Sequence, residues 1–528
     1  MTSAARASSA WPQPKTCVST SRSPRYNPRA MTPDLILYHA LPLLGSGWEA
    51  VAVRCGRIMA VGRNEEVLRL RGPGTESIDL EGRPLLPGFF DAHVHFLQAG
   101  LDRVFYLDLS QAGSLGEALE LMAAAGRARP GEWVVARGWD ESRWPERRYL
   151  ERVDLDRAVP RSPTLAVRVD GHLVVANTLA LARCVHPEGE LVDRERGHLR
   201  ERAADDLLAC AVPDRETLVA AAGVASELAA SLGVTAVADM GGPDVLPVLQ
   251  AAEARGLLRT RAFLYLPAGG RERLERLGIR RGFGSELVRV QGLKVYLDGS
   301  IGARTAALTA PYLGEEGRGE LLMGREELSG LLRRAKRAGL QVAVHAIGDR
   351  AIEEAISACE LAGVGPEERF RIEHLELPTP GQLERMARLG LVASMQPNFA
   401  ARWSGPGKLY RSRLGEERDS RIDPHAWVAA RGIPLAFGSD GMPMGPLYGL
   451  PGVIQPPHRP QRLPLEAALR AYTYGGAYAA FAEDELGDIS PGKRADLVVL
   501  SRDPRATPWE EVRVAMTFLG GELVYEGG

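Results

Sequence analysis

Residues 85–95 read LLPGFFDAHVH, an apolar run that ends in two histidines separated by one residue. Residues two apart on a β-strand point to the same side. His93 and His95 can therefore hold one cation together from the end of a strand. An HxH pair is weak evidence by itself, because packed or surface histidines at a strand end give the same pattern. The rest of the sequence has to decide between these interpretations.

Further apolar runs follow, and amphipathic segments such as 325–338 and 350–362 separate them. This alternation is typical of a parallel sheet with helical crossovers. Eight such units predict an α/β fold, a (β/α)8 TIM barrel, whose chemistry lies at the carboxyl ends of its strands. The predicted strands are 85–95, 234–240, 261–266, 287–298, 341–346, 371–375, 391–396 and 434–440.

The spacing of the runs predicts two additions to the barrel domain, which spans residues 87–484. Residues 97–228, after the first barrel strand, are far too many for a βα loop, and their own apolar runs predict an inserted lid subdomain. Residues 31–86 and 485–528 contain short strand-like runs but too few residues for separate cores. We expect the two ends to pair into one small composite β-sandwich domain.

Residues 1–30 differ in composition from the remaining chain. They are rich in Ser, Ala, Pro and Arg and contain no Asp or Glu. We expect a disordered N-terminal extension, or a start codon placed ahead of the true start at Met31. A transit peptide has the same composition and is the alternative.

Composition limits the classes of function. With 45% hydrophobic and 25% charged residues the chain is typical of a soluble globular protein. A net charge of −2 gives no reason to expect nucleic acid or a membrane surface as partner. The five cysteines form no CxxC pair, which indicates reduced thiols in a cytoplasmic protein. We therefore expect a cytoplasmic protein that acts on a small molecule, with a homodimer as the first expectation for its assembly.

Several predicted strands end in residues that bind metals. Because the strand ends of a barrel meet at one mouth, these side chains converge despite their separation in sequence. Imidazole nitrogen and carboxylate oxygen are suitable ligands for Zn²⁺ and similar divalent ions, including Mn²⁺, Fe²⁺ and Co²⁺. The pattern predicts a site for one or two ions. Its candidate residues are His93, His95, Lys294, His345, His374 and Asp440.

Lys294 is the unusual member of this set, because a protonated ammonium group beside divalent cations is repelled. A lysine buried near positive charge can lose its proton. The neutral amine could then take up CO₂ and form a carbamate, whose two oxygens can bridge two metals. A plain amine that pairs with Asp298 or binds substrate is the alternative.

The order HxH, Lys, His, His, Asp resembles the binuclear type of the amidohydrolase superfamily. The stretches GLKVYLDGSIGARTAAL (292–308), VHAIGDRAI (344–352), RIEHLEL (371–377) and GSDGMP (438–443) look like its amidohydrolase-3 group. That group includes YtcJ-like and N-substituted formamide deformylase-like metal-dependent hydrolases. The likeness runs from about residue 33 to residue 528 and implies that the six candidate residues hold the metal centre.

The predicted reaction is hydrolysis by metal-activated water, with Zn²⁺ as the first expected ion. Asp440 is placed to take a proton from that water and to return it to the departing nitrogen. A purely structural ligand is the alternative role for Asp440. The resemblance implies a substrate with a non-peptide C–N bond, especially a linear amide or formamide.

Further residues are candidates for contact with the substrate. His172, in the insertion, could reach the substrate or pack within the insertion's own core. Asp298 and Arg304 follow the fourth strand and could bind substrate, or could hold each other in a loop. Ordinary packing is the better explanation for Trp139 and Trp144.

Two other functions are compatible with the sequence. The first is a mononuclear hydrolase or deaminase that acts on a cyclic C–N bond, with one metal on His93, His95 and Asp440 and an unmodified Lys294. The second is a catalytically inactive, metal-stabilised binding protein that keeps the barrel. The intact candidate ligand set argues against the second.

Overall fold

The structure, a computed structural model, describes residues 32–169, 173–183 and 191–527. Its central sheet contains parallel strands whose spatial order follows the chain, and the short strand Phe283–Gly284 pairs antiparallel beside them. We number the parallel strands Phe89–Val94 (β1), Val234–Asp239 (β2), Arg261–Pro267 (β3), Val288–Tyr296 (β4), Gln341–Ala346 (β5), Arg371–His374 (β6), Val392–Met395 (β7) and Leu435–Phe437 (β8). The predicted (β/α)8 barrel is confirmed.

The ends of the sheet meet where β8 approaches β1. The backbone N–H of Asp440 donates to the carbonyl oxygen of His93 at 2.7 Å. The backbone N–H of Ser439 donates to Oδ1 of Asp91 at 2.9 Å. A Cβ atom on Gly438 would lie 2.4 Å from the backbone nitrogen of His93, so this close approach requires glycine.

Helices cover the outside of the barrel as crossovers. Helix Arg325–Ala338 is typical of these crossovers. Its first turn contains Glu326 and Glu327, its leucines are buried against the barrel, and Gly339 in the left-handed conformation caps its end. The helices of the barrel region are Phe96–Val104, Arg215–Ser231, Val245–Ala254, Arg271–Arg276, Arg325–Ala338, Asp349–Ala362, Pro380–Leu389, Pro397–Trp403, Leu409–Leu414, Glu416–Asp419, His425–Ala430, Pro446–Ile454, Leu465–Arg470 and Gly476–Ala479.

Strands from both ends of the chain form a second domain, as predicted. Side chains from both ends, such as Leu37 and Phe518, share one buried cluster. A four-stranded sheet consists of Leu35–Tyr38, Ala50–Arg54, Arg57–Gly62 and Glu76–Asp79. A five-stranded sheet consists of Leu41–Pro42, Pro84–Pro87, Leu497–Leu500, Val514–Leu519 and Glu522–Glu526. Helix Asn64–Leu68 completes the N-terminal part.

The first predicted strand divides into two. Strand Pro84–Pro87 pairs antiparallel with Leu497–Leu500 in the small domain, and β1 starts only after Gly88. A Cβ atom on Gly88 would lie 2.1 Å from Oγ1 of Thr235. One apolar run thus serves two sheets, and the glycine between its halves lets the chain pass close to β2.

The insertion between β1 and β2 has a six-stranded sheet of its own. Trp139 and Trp144 stack in its core with ring centroids 5.7 Å apart, so the packing prediction for these residues is confirmed. The strands are Tyr106–Asp108, Val134–Trp139, Thr164–Arg168, Leu173–Ala176, Val192–Asp193 and His198–Arg200. The helices are Leu115–Ala128, Arg152–Ala158, Thr178–Arg183 and Glu201–Leu208. The predicted boundaries, 97 and 228, stay predictions.

The structure tests the expectation for the cysteines. Cys359 is a free thiol, but Cys210 is disulfide-bonded. The expectation of reduced thiols is therefore wrong at Cys210, because spacing in sequence does not report contacts in the fold. Within the described ranges, no helix is long and apolar enough to cross a bilayer. The expectations for residues 1–30 concern a segment outside the described residues.

Candidate metal centre

The structure brings the six candidate ligand residues to one end of the barrel. They come from the carboxyl-terminal parts of five strands or from the residues directly after them. His93 lies in β1 and His95 directly after it, Lys294 in β4, His345 in β5, His374 at the end of β6 and Asp440 shortly after β8. The ring centroid of His374 is 4.7 Å from that of His93 and 4.4 Å from that of His345.

Three of these residues direct ligand atoms toward one point. One atom from each of His93, His95 and Asp440 lies within 4.8 Å of the others. Oδ1 of Asp440 is 3.2 Å from Nε2 of His95 and 3.5 Å from Nε2 of His93. This Oδ1 is buried and has no hydrogen-bond partner among the described residues. Donor atoms arranged in this way fit a divalent cation, which would satisfy them together.

Oxygen atoms on the far side of three histidine rings determine which nitrogen faces the centre. A carbonyl or carboxylate oxygen only accepts hydrogen bonds, so each ring donates at the contacting nitrogen. The other nitrogen then keeps its lone pair for a cation. The contacts are His93 Nδ1 to Glu373 Oε2 at 2.6 Å, His374 Nδ1 to Gln396 Oε1 at 2.8 Å and His345 Nε2 to the Gly299 carbonyl oxygen at 3.1 Å.

The surroundings favour neutral imidazoles at these three positions. Burial and, after it, the charge of Lys294 lower the pKa of His93 and bring that of His345 to about 3. Burial and the neighbouring histidines lower the pKa of His374 as well. At His95 burial also acts to lower the pKa, but the carboxylate of Asp440, with Oδ1 3.2 Å from Nε2 of His95, outweighs it and the pKa is raised.

Lys294 is enclosed without a polar partner. Its Nζ is buried, has no hydrogen-bond partner among the described residues and lies 4.9 Å from the ring centroid of Tyr296. Burial lowers the pKa of Lys294 to about 8, although the charges of Glu373 and Asp440 act in the opposite direction. These surroundings increase the neutral fraction of the amine, and the neutral amine is the form that reacts with CO₂.

Two of the candidate ligands have unusual backbone conformations. The φ angle is 56° at Asp440 and 72° at His374. Residues other than glycine rarely adopt this left-handed region, and such strain is concentrated at functional sites. At both positions the left-handed backbone conformation occurs at a residue whose side chain is directed toward the centre.

Comparisons with known proteins identify the family of this chain. A family model described as "Amidohydrolase family" matches residues 76–525. The chain belongs to the amidohydrolase family. It is 29% identical to the putative amidohydrolase YtcJ of Bacillus subtilis, over 91% of this chain and 97% of that protein. It is 27% identical to the N-substituted formamide deformylase of Arthrobacter pascens, over 90% of this chain and 95% of that protein.

A solved structure is similar over most of both chains. It is the crystal structure of a metal-dependent hydrolase from Pyrococcus furiosus, which superposes on this amidohydrolase with a TM-score of 0.81. The two are 30% identical in sequence, and the match covers 89% of this chain and 99% of that chain. The resemblance predicted from the sequence is confirmed. Family membership makes this protein a hydrolase and implies a divalent metal.

The amidohydrolase holds His93 through a buried ion pair that sequence reasoning missed. Arg371 donates from Nε to Oε1 of Glu373 at 2.7 Å, and from a terminal nitrogen to Oε2 at 3.0 Å. Both side chains are fully buried. Arg371 also donates to the hydroxyl of Tyr265 at 3.0 Å and to the carbonyl oxygen of Ala92. The signal in the sequence was RIEH, in which two charged residues lie two apart, on one face of a strand that is buried throughout.

Asp91 connects the two strands that carry His93 and Asp440. Its Oδ1 accepts from the backbone N–H of His93 at 3.2 Å and from that of Ser439 at 2.9 Å, and its Oδ2 accepts from the Ser439 hydroxyl. Burial raises the pKa of Asp91 to about 7. Sequence reasoning missed this residue too, although it begins the DAHVH motif.

The candidate substrate residues have other partners in the structure. The carboxylate of Asp298 accepts the backbone N–H groups of Ala307 at 2.9 Å, Ile347 at 3.1 Å and Gly348 at 2.9 Å. Arg304 forms an ion pair with Glu315 at 2.8 Å. Asp298 thus holds a loop, and substrate contact by Asp298 and Arg304 stays a prediction. His172 lies outside the described residues.

A cavity of about 290 Å³ opens beside the centre. His345, His374 and Asp440 are part of its wall, together with Glu376. The aromatic residues of the wall are Phe399, Trp403 and Tyr410. No described residue of the insertion lines this cavity, so the lid function of the insertion stays a prediction.

Proposed function

We propose that this amidohydrolase hydrolyses a non-peptide C–N bond in a linear amide or formamide, with Zn²⁺ as the first expected metal. One observation carries the proposal. Ligand atoms of His93, His95 and Asp440 lie within 4.8 Å of one another at the barrel mouth, beside further nitrogen-bearing side chains. The relative named N-substituted formamide deformylase supports the choice of bond.

The residues suggest positions for two ions. His93, His95 and Asp440 would hold one, and His345 and His374 the other. Lys294, converted to a carbamate, would connect them, since its Nζ is buried without a partner among the described residues. A divalent cation supplies Lewis acidity, which lowers the pKa of a water molecule and polarises a carbonyl oxygen.

Asp440 is proposed to move the proton. Its buried Oδ1 has no hydrogen-bond partner among the described residues, and Asp440 is part of the cavity wall. The carboxylate would accept a proton from the attacking water while the new C–O bond forms. It would then deliver that proton to the nitrogen as the C–N bond breaks, so that the amine leaves neutral.

The test is a substrate panel with metal-replete protein. It contains linear amides, N-substituted formamides, carbamates, lactams and esters, and Asp440→Asn is the control for catalysis by this site. We expect turnover of the linear amides and formamides and its loss in the variant. Hydrolysis of no panel member would favour the binding-protein alternative instead.

A mononuclear enzyme acting on a cyclic C–N bond is the second candidate. The observation in its favour is that only His93, His95 and Asp440 form a compact ligand group within the described part of the chain. Metal equivalents per chain, together with NMR of protein exposed to isotopically labelled CO₂, separate the candidates. One equivalent, no labelled carbamate and turnover confined to lactams or other cyclic substrates would support the mononuclear enzyme.

A further inference from the structure

Glu376 is a buried acid in the wall of the cavity. The residue is only 3% exposed to solvent. Its Oε2 has no hydrogen-bond partner among the described residues. A buried polar atom without a partner is costly and therefore uncommon in folded proteins. Oε2 thus lacks a hydrogen-bond donor, and a ligand could supply one.

The groups packed around Glu376 do not neutralise a charge on it. The hydroxyl of Tyr410 forms a hydrogen bond with the carboxyl group of Glu376, and Asp298 and Asp440 add negative potential. Asp423, a second buried acid, donates its backbone N–H to the carbonyl oxygen of Glu376 at 2.7 Å. No arginine or lysine is among the described residues that line the cavity. A cation would therefore be favoured beside Glu376.

The aromatic residues of the wall lead from the metal centre toward Glu376. The ring of Phe399 stacks on that of His374 with centroids 6.1 Å apart. The centroid of Trp403 is 4.6 Å from that of Phe399 and 5.9 Å from that of Tyr410. Aromatic faces attract ammonium groups through their quadrupoles and also bury an apolar chain. They fit an alkyl chain that ends in a cation.

We propose that this cavity binds a positively charged amine of the substrate, with Glu376 as the residue that determines this specificity. The inference rests on the proposed function, because it places the bond to be broken at the metal centre and the ammonium group beside Glu376. The substrate class is a linear amide or formamide that carries an aliphatic ammonium group. Phe399, Trp403 and Tyr410 surround the chain between the two.

Matched substrates test the specificity. N-alkylformamides of equal length are compared in pairs, one ending in an ammonium group and the other in a methyl group. For the wild type we expect kcat/KM to be about 10- to 100-fold higher for the charged member, the effect of one buried charge-assisted hydrogen bond. Glu376→Gln keeps the shape of the side chain and should bring the ratio close to one. Glu326→Gln, on an exposed helical turn, should leave the ratio unchanged.

Binding measurements separate this inference from the proposed reaction. Calorimetry compares hexylammonium with 1-hexanol on metal-replete wild type and Glu376→Gln. A preference for hexylammonium that needs Glu376 supports the cation site even if no formamide is hydrolysed. Equal affinities, alongside efficient formamide hydrolysis, would overturn the cation site and leave the reaction standing.

A second variant covers the case in which Glu376→Gln fails to fold. Trp403 is half-buried, so Trp403→Leu should be tolerated. It removes one aromatic face and should lower the preference for hexylammonium over 1-hexanol by several-fold. An unchanged preference in Trp403→Leu would contradict the part assigned to the aromatic residues.

Discussion

At the residue scale, the chemistry depends on side chains whose partners lie on other strands. Asp440 lies close to His93 in β1 and to His95 directly after it, and the remaining candidate nitrogens come from β4, β5 and β6. The sequence predicted these residues because metal ligands belong to few residue types and the strand ends are recognisable. It did not predict Glu373 and Gln396, because residues that contact the second ring nitrogen of a ligand histidine have no fixed spacing from it in the sequence.

Asp440→Asn is expected to keep bound metal and to lose turnover by about 10²- to 10⁴-fold, the usual contribution of general acid–base catalysis. The amide preserves shape and one ligand oxygen but cannot hold the transferred proton. Metal analysis and kcat on the same preparation check this. Unchanged turnover would remove the proton transfer assigned to Asp440.

Gln396→Ala is expected to weaken metal binding by about 10- to 100-fold, as removal of a partner behind a ligand commonly does. The reason is that Oε1 of Gln396 accepts from Nδ1 of His374 at 2.8 Å and so fixes the ring. Competition with a chelator measures the affinity, and Gln111→Ala at an exposed position is the matched control. Equal affinities in both variants would show that the ring does not need this contact.

At the scale of elements, periodicity and strand length were sufficient for the barrel strands, because most are short apolar runs that precede a helical segment. They were insufficient at residues 85–95, where one apolar run supplies strands to two sheets. Hydrophobicity reports that a segment is buried but not which sheet buries it. Only the position of Gly88 against Thr235 separates the two strands.

Gly438→Ala tests the junction between β8 and β1. The added Cβ would lie 2.4 Å from the backbone nitrogen of His93, so the two strands must separate. We expect a loss of about 1–3 kcal/mol in the free energy of unfolding, as for other overpacked sites, and weaker metal binding. Gly381→Ala, where a Cβ meets nothing within 4 Å, is the control. Similar stability and metal affinity in both variants would contradict the proposed close contact.

At the scale of the whole molecule, the small domain is connected to the barrel by a buried ion pair. Arg261, at the start of β3, donates to both oxygens of Asp496 at 2.7 and 3.0 Å. The pairing of the two chain ends could be predicted because neither contains enough residues for a core. Whether the insertion covers the active site could not be predicted in the same way, because a lid depends on contacts between segments that are distant in sequence.

Asp496→Ala is expected to destabilise the protein by about 3–5 kcal/mol, because it leaves the buried charge of Arg261 unpaired. The measurement is chemical unfolding, with activity at a temperature below the transition as a second readout. Activity should change little, since Asp496 lies in the small domain. Glu65→Ala, which removes an exposed ion pair with Arg69, is the control and should have almost no effect. A similarly small effect at Asp496 would contradict the importance of this connection.

The most direct test of the metal centre is a calorimetric titration of metal-free protein, with Zn²⁺ in one experiment and Mn²⁺ in another. Wild type should bind one or two equivalents, whereas a variant with His93→Ala and His95→Ala should lose the site that they share with Asp440. A folded wild-type protein that binds neither ion, or a double variant that binds both as tightly as wild type, would contradict the account.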